Sequence, residues 1–156
     1  MWARAIIGAV ALAGQVALAD EIPFDPAALA SCVDAGRGEA CIGLGARACI
    51  ERAGATSDGL CMAAENVWWM ERAARAVMVL EAREPVMLER ARRLGWPAPV
   101  PTMAQIADRF DAYRQVACSW RAAAWDGIHA AVEEMDCVMR LNARHALWLD
   151  ERVRED

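Results

Sequence analysis

The chain has 156 residues, with 22 acidic side chains against 17 basic ones, all of them arginine, and a formal charge of −5. That balance disfavours a nucleic-acid partner and suits a basic one. The absence of lysine excludes Schiff-base chemistry, and the length accommodates one domain rather than two.

Met1-Trp2-Ala3-Arg4 places one positive charge ahead of an apolar run from Ala5 to Val16, broken only by glycine and Gln15. Ala17-Leu18-Ala19 then sets small residues at the two positions a signal peptidase reads, with Asp20, Glu21 and Pro23 beyond. Residues 1–19 are therefore expected to be a secretory signal peptide. Ala5 to Ala19 falls short of the roughly 20 residues that span a bilayer as a helix. The first cysteine, Cys32, lies too far along for a lipoprotein, so no stable membrane anchor is expected. The mature chain, residues 20–156, would be a single domain of formal charge −6 once Arg4 is lost, periplasmic or secreted.

All six cysteines, Cys32, Cys41, Cys49, Cys61, Cys118 and Cys137, follow the expected cleavage point. An even number in an oxidising compartment predicts disulfides. Zinc sites use short, clustered spacings that these cysteines lack, so neither a metal nor a cofactor is expected.

Helical signals recur along the chain and strand signals do not, which predicts an all-α fold. Asp25-Pro26 reads as the start of a short helix over 26–35, stopped by Gly36. A second short helix is expected from Glu39 to Arg52, although Gly43 and Gly45 weaken it and could split it into two turns. Thr56 or Ser57 can cap a third helix. Its Leu60, Ala63, Val67, Met70, Ala74, Val77 and Leu80 fall at steps of three and four and predict one buried face. Pro85 predicts a kink or break before the helix resumes from Val86 to Leu94, and Gly95 ends it.

Pro97, Pro99 and Pro101 make the next connection extended and stiff. Thr102 and Gln105 form a capping box, followed by a stripe of Met103, Ile106, Phe110, Tyr113, Ala117, Trp120 and Ala124. Gly127 interrupts the pattern. A last helix places Ile128, Val132, Met135, Met139, Asn142, Ala146, Leu149 and Val153 on one face. Short connections favour antiparallel neighbours, so the expected architecture is a small disulfide-stapled helical bundle with two short N-terminal helices. Cys118 can then face Cys137 across a helical hairpin, while Cys49 and Cys61 flank Gly54, and Cys32 and Cys41 flank Gly36. Sequential pairing is the simplest connectivity, with links from Cys41 or Cys61 to the C-terminal hairpin as alternatives.

Several landmarks stand in a distinctive order. Cys41-Ile42-Gly43, Ala48-Cys49-Ile50-Glu51 and Ser57-Asp58-Gly59-Leu60-Cys61 precede Glu65 and Trp68-Trp69. Phe110-Asp111-Ala112-Tyr113-Arg114 leads to Cys118, and Asp136-Cys137 leads through Arg140 to Leu149. This chain resembles the lysozyme inhibitor LprI-like domain family over residues 40–150. Glu65, Trp68, Phe110, Tyr113 and Arg114 carry the motif. It departs from the family at Trp69-Met70, usually Trp-Asp, at Ala73-Ala74, usually Leu-Asn, and at Phe110, usually Trp. The resemblance implies an exported binding protein that inhibits a lysozyme by blocking its cleft, and the alternative is an envelope interaction or scaffold protein without that activity.

Residue chemistry also argues for binding over catalysis. Serine occurs only at 31, 57 and 119, none in a nucleophile-elbow setting. His129 and His145 would lie about 160° apart on one helix and cannot share a metal. Met62, Met70 and Met78 drift about 80° per step and form no ligand stripe. Glu133-Glu134 with Asp136 reads as a solvated face, so no enzyme activity is expected. Glu65 and Arg114 could share a network or simply fix helix register. Trp125-Asp126-Gly127 at the hairpin tip joins an aromatic, a carboxylate and a flexible residue, a composition suited to insertion into a cleft, unless Trp125 is tucked under the turn.

Overall fold

The computed structural model describes residues 22–155, so the expected signal peptide lies outside the described residues. Among these, the chain folds into five α-helices and two 3-10 turns, with no strand. The first helix, α1 (Ala27–Asp34), starts where the carboxylate of Asp25 accepts the Ala27 N–H at 2.9 Å, and ends at Gly36. A 3-10 turn over Gly38–Cys41 precedes α2 (Leu44–Ala53). The single helix expected from Glu39 is thus divided at Gly43, whose φ of +81° is left-handed and open to glycine without strain.

Another 3-10 turn, Ala55–Ser57, leads into α3 (Asp58–Arg93). Neither Thr56 nor Ser57 caps it; the Ser57 hydroxyl donates back to the Ala53 carbonyl instead. The break expected at Pro85 does not occur, and α3 runs straight on in sequence through it. Pro85 is exposed, so the carbonyl left without its helical donor can be solvated. The helix closes in a Schellman arrangement, with Gly95 donating to the Arg92 carbonyl and Trp96 to that of Ala91. The Thr102–Gln105 capping box opens α4 (Met103–Ala122), and α5 (Ile128–Arg154) follows Gly127.

Helix α5 lies between α3 and α4, which barely meet. Its contacts with α4, Phe110 to His145, Arg114 to Asn142, Cys118 to Cys137 and Arg121 to Glu133, run in opposite senses along the two chains and define an antiparallel hairpin. Its contacts with α3 rise together, Asn66 to Asn142 and Arg72 to Asp150, so those two helices are parallel. The core has two parts. Leu29, Val33, Ile42, Ala46 and Trp69 meet Met139, Ala143 and Ala146 at one end, and Ala76, Met103 and Leu149 meet further along. Disulfides join chain neighbours, Cys32 to Cys41, Cys49 to Cys61 and Cys118 to Cys137.

Two buried faces differ from the apolar stripes. On α3 the buried residues are Cys61, Glu65, Trp69 and Ala76, and Leu60, Val67 and Met70 face solvent. On α4 Met103 and Cys118 are buried and Phe110 and Arg114 half-buried, whereas Tyr113 and Trp120 are exposed. The cause is the same in both. A disulfide and a hydrogen-bonded polar side chain on one line of the helix fix its rotation, and the apolar residues beside that line are left outside. The α5 stripe, in contrast, turns inward over Met139, Asn142, Ala146 and Leu149, although Ile128 at its start is exposed.

Candidate binding surface

Glu65 is fully buried and accepts three hydrogen bonds. The backbone N–H groups of Gly43 and Ala46 donate at 2.7 Å each, and the Trp69 indole Nε1–H at 2.9 Å. The carboxylate therefore satisfies donors that α2 would otherwise leave orphaned at its amino end, where negative charge is favoured. Trp68 is half-buried, edge-on to Trp69 with ring centroids 4.7 Å apart, and the Arg72 guanidinium sits 5.6 Å from its ring. These residues join α2, α3 and α5, and no solvent reaches Glu65.

Arg114 belongs to a different network. It donates to Asn142 Oδ1 at 2.7 Å and pairs with Asp111 at 3.2 Å, and Asn142 donates to Asn66 Oδ1 at 2.7 Å. One polar line thus crosses from α4 through α5 to α3. No bond connects it to Glu65, so the two residues act separately. Beside it, Phe110 stacks on His145 at 4.0 Å and His145 faces Trp148 at 5.8 Å. The His145 pKa is lowered from its ordinary value, chiefly by burial, with Asp111 raising it and Arg114 lowering it.

The outer side of α4 is different again. At about 100° per residue, Arg109, Tyr113, Val116 and Trp120 fall within an arc of about 60°, opposite the buried Cys118. Trp120 is 81 % exposed, Val116 73 % and Tyr113 60 %. Trp125 and Asp126 occupy the exposed turn between α4 and α5, with the Trp125 ring 6.5 Å from that of His129. The turn is held from both sides. Cys118–Cys137 crosses the hairpin below it, and Arg121 binds Glu133 at 2.7 Å and Asp136 at 3.1 Å, while Arg140 binds Asp136 at 2.8 Å.

Neither Val116 nor Trp120 is expected on a recognition surface from the amino-acid order, and nothing there groups Asn66, Asn142 and His145 in one cluster. A signal was available for the first pair. Once Cys118 faces α5, residues two positions away lie about 200° around the helix and must point outward. The asparagine pair and the histidine stack carry no such signal, because they depend on how three helices are aligned.

Among the described residues no group of three His, Cys, Asp or Glu side chains could hold a metal ion. Near the hairpin turn Glu133 and Asp136 are engaged with Arg121 and Arg140. What α4 and the turn offer is aromatic and aliphatic surface on a cross-linked support, which is suited to association with another macromolecule. Compared with known proteins, the chain matches no family model, no curated protein and no solved structure.

Proposed function

We propose that this is an exported binding protein whose α4–α5 hairpin engages a protein partner, a basic lysozyme, and blocks its cleft. The observation that carries the reading is the row of Tyr113, Val116 and Trp120 left exposed on a helix clamped at Cys118–Cys137, beside the Trp125-Asp126 turn. Tryptophan and tyrosine supply large contact areas at small entropic cost, and the cross-linked hairpin has little freedom left to lose on binding. The order of Glu65, Phe110, Tyr113, Arg114 and the cysteines, which resembles the LprI-like inhibitors, supports the choice of partner. So does the net negative charge, which raises the encounter rate with a basic protein at low salt. Occlusion of a cleft needs no chemistry from the inhibitor, and the disulfides fit an exported location.

The test is a cell-wall lysis assay with the oxidised chain from Asp20, at low and high salt, with calorimetry on the same lysozymes. Dose-dependent inhibition, weakened by salt, with one-to-one binding is expected. Trp120→Ala should weaken binding about thirtyfold, the effect of losing a hot-spot tryptophan. Absence of binding to every lysozyme class would remove this function. A second reading, an envelope scaffold using the same hairpin for another partner, is favoured by Met70 and Ala74. Both are exposed and stand where the family resemblance expects Asp and Asn.

A further inference from the structure

The core-facing line of α3 outlasts the helix it packs against. Trp69 and Ala76 are buried on that line, and Arg83, one heptad on, donates to the Val153 carbonyl at 3.0 Å, at the last turn of α5. At about 100° per residue Met87 and Leu94 lie within about 20° of Trp69 around the helix, past the end of α5, and both are exposed, Leu94 by 70 %. Beyond Ala76 no residue of α3 is fully buried.

At about 100° per residue, Val86, Met87, Arg90, Arg93 and Leu94 share an arc of about 120°, and the exposed Trp96 follows directly. Glu81 and Glu84 lie on other sides of the helix, and Glu84 is occupied in accepting the Met103 N–H. Glu89, at the edge of the arc, is paired with Arg92. Arg90 and Arg93 make no ion pair among the described residues. In an acidic chain, this arc of α3 therefore combines two arginines that make no ion pair among the described residues with uncovered aliphatic surface, next to the exposed Trp96.

We propose that the distal face of α3, with Trp96, is a reversible docking site for an anionic lipid surface. Arginine forks match phosphate oxygens, tryptophan settles at the headgroup level, and Val86, Met87 and Leu94 can enter the acyl boundary between them. A second copy of the chain fits this face poorly, since self-association would bring Arg90 and Arg93 towards their equivalents. An acidic polypeptide would answer the arginines but leave the aliphatic residues without a counterpart. This docking is peripheral: among the described residues no helix is long and apolar enough to cross a membrane. Because α4 begins at this end and runs about 30 Å to the hairpin turn, the turn lies at the opposite end of the bundle from the docking face.

The test is sedimentation of the oxidised chain from Asp20 with vesicles of equal parts phosphatidylglycerol and phosphatidylcholine, and with phosphatidylcholine alone. Binding to the anionic vesicles only, falling as salt rises, is expected. Substituting Arg90→Gln and Arg93→Gln should weaken it about fivefold for each arginine, the loss of about 1 kcal/mol apiece near an anionic surface. Both positions are exposed, and thermal unfolding should show the variant folded like the parent. Leu94→Ser should also weaken binding, and Trp120→Ala should not. Equal binding to both vesicles, binding to neither, or indifference to the arginine substitutions would overturn the proposal. Binding to polyglutamate without binding to anionic vesicles would assign the face to an acidic protein and overturn it as well.

Discussion

Glu65 accepts the indole Nε1–H of Trp69, one turn further along α3, at 2.9 Å, and the same oxygen accepts the Gly43 N–H at 2.7 Å. One carboxylate thus holds the largest side chain of the core in place while it terminates a neighbouring helix. Removing it strands three buried donors, each of which carries a desolvation cost.

Glu65→Ala should therefore lower unfolding stability by about 3 kcal/mol or more, since an unsatisfied buried polar group costs about 1–3 kcal/mol. Glu65→Gln presents an amide N–H to one of the same donors and should fall between the two. Urea unfolding followed by tryptophan fluorescence reads both. A Glu65→Ala protein as stable as the parent would show that the three bonds contribute little.

Gly45 packs against this carboxylate. A Cβ there would stand 2.8 Å from the Phe24 ring and 3.3 Å from Glu65 Oε2. Gly45→Ala should cost about 1–3 kcal/mol through overpacking, despite alanine's higher helix propensity. Gly59, near the start of α3, has nothing within 4 Å of such an atom, and Gly59→Ala should instead be neutral or stabilising. The reverse order in thermal melts would refute the packing argument.

The bridge between Cys118 and Cys137 closes a loop with a sequence separation of 19. Replacing both cysteines by serine should cost about 3 kcal/mol, the chain-entropy value for a loop of that length. The hairpin's other ties, from Arg121 and Arg114, remain. Stability should fall while helical circular dichroism at low temperature stays near that of the parent. Complete loss of helical signal would mean that the bridge is required for the hairpin to form at all.

His145, between Phe110 and Trp148, has its pKa pushed below 6.5 mainly by burial. A histidine so shifted takes up its proton more readily in the unfolded chain. Its effect is absent above about pH 7, and stability falls as pH drops through about 6.5 towards the folded-state value. His145→Phe keeps an aromatic ring in the stack and removes the proton site. Stability measured from about pH 7.5 to pH 5 should decline less steeply in the variant. Parallel slopes would place the acid sensitivity elsewhere.

Much of the fold is legible in the amino-acid order. Asp25, Gly36, Gly54, Gly95, the Thr102–Gln105 box and Gly127 mark helix ends through local backbone chemistry, which needs no distant partner. The regular α5 stripe also identifies its buried face, because α5 is covered on two sides and most of its apolar positions have somewhere to go. Local signals suffice for both.

Rotation of α3 and α4 was decided only in three dimensions. Each helix carries more apolar residues than a single contact with α5 can cover, so several faces could have turned inward on hydrophobicity alone. Cys61 with Glu65 on α3, and Cys118 with Arg114 on α4, select the face, since a covalent bond and a satisfied buried polar group outweigh a few exposed aliphatic side chains. Their partners, Cys49, Gly43, Cys137 and Asn142, come from other elements; Val116 and Trp120 follow outward once Cys118 is placed, whereas only the packed structure shows that Met87 and Leu94 are left uncovered past the end of α5.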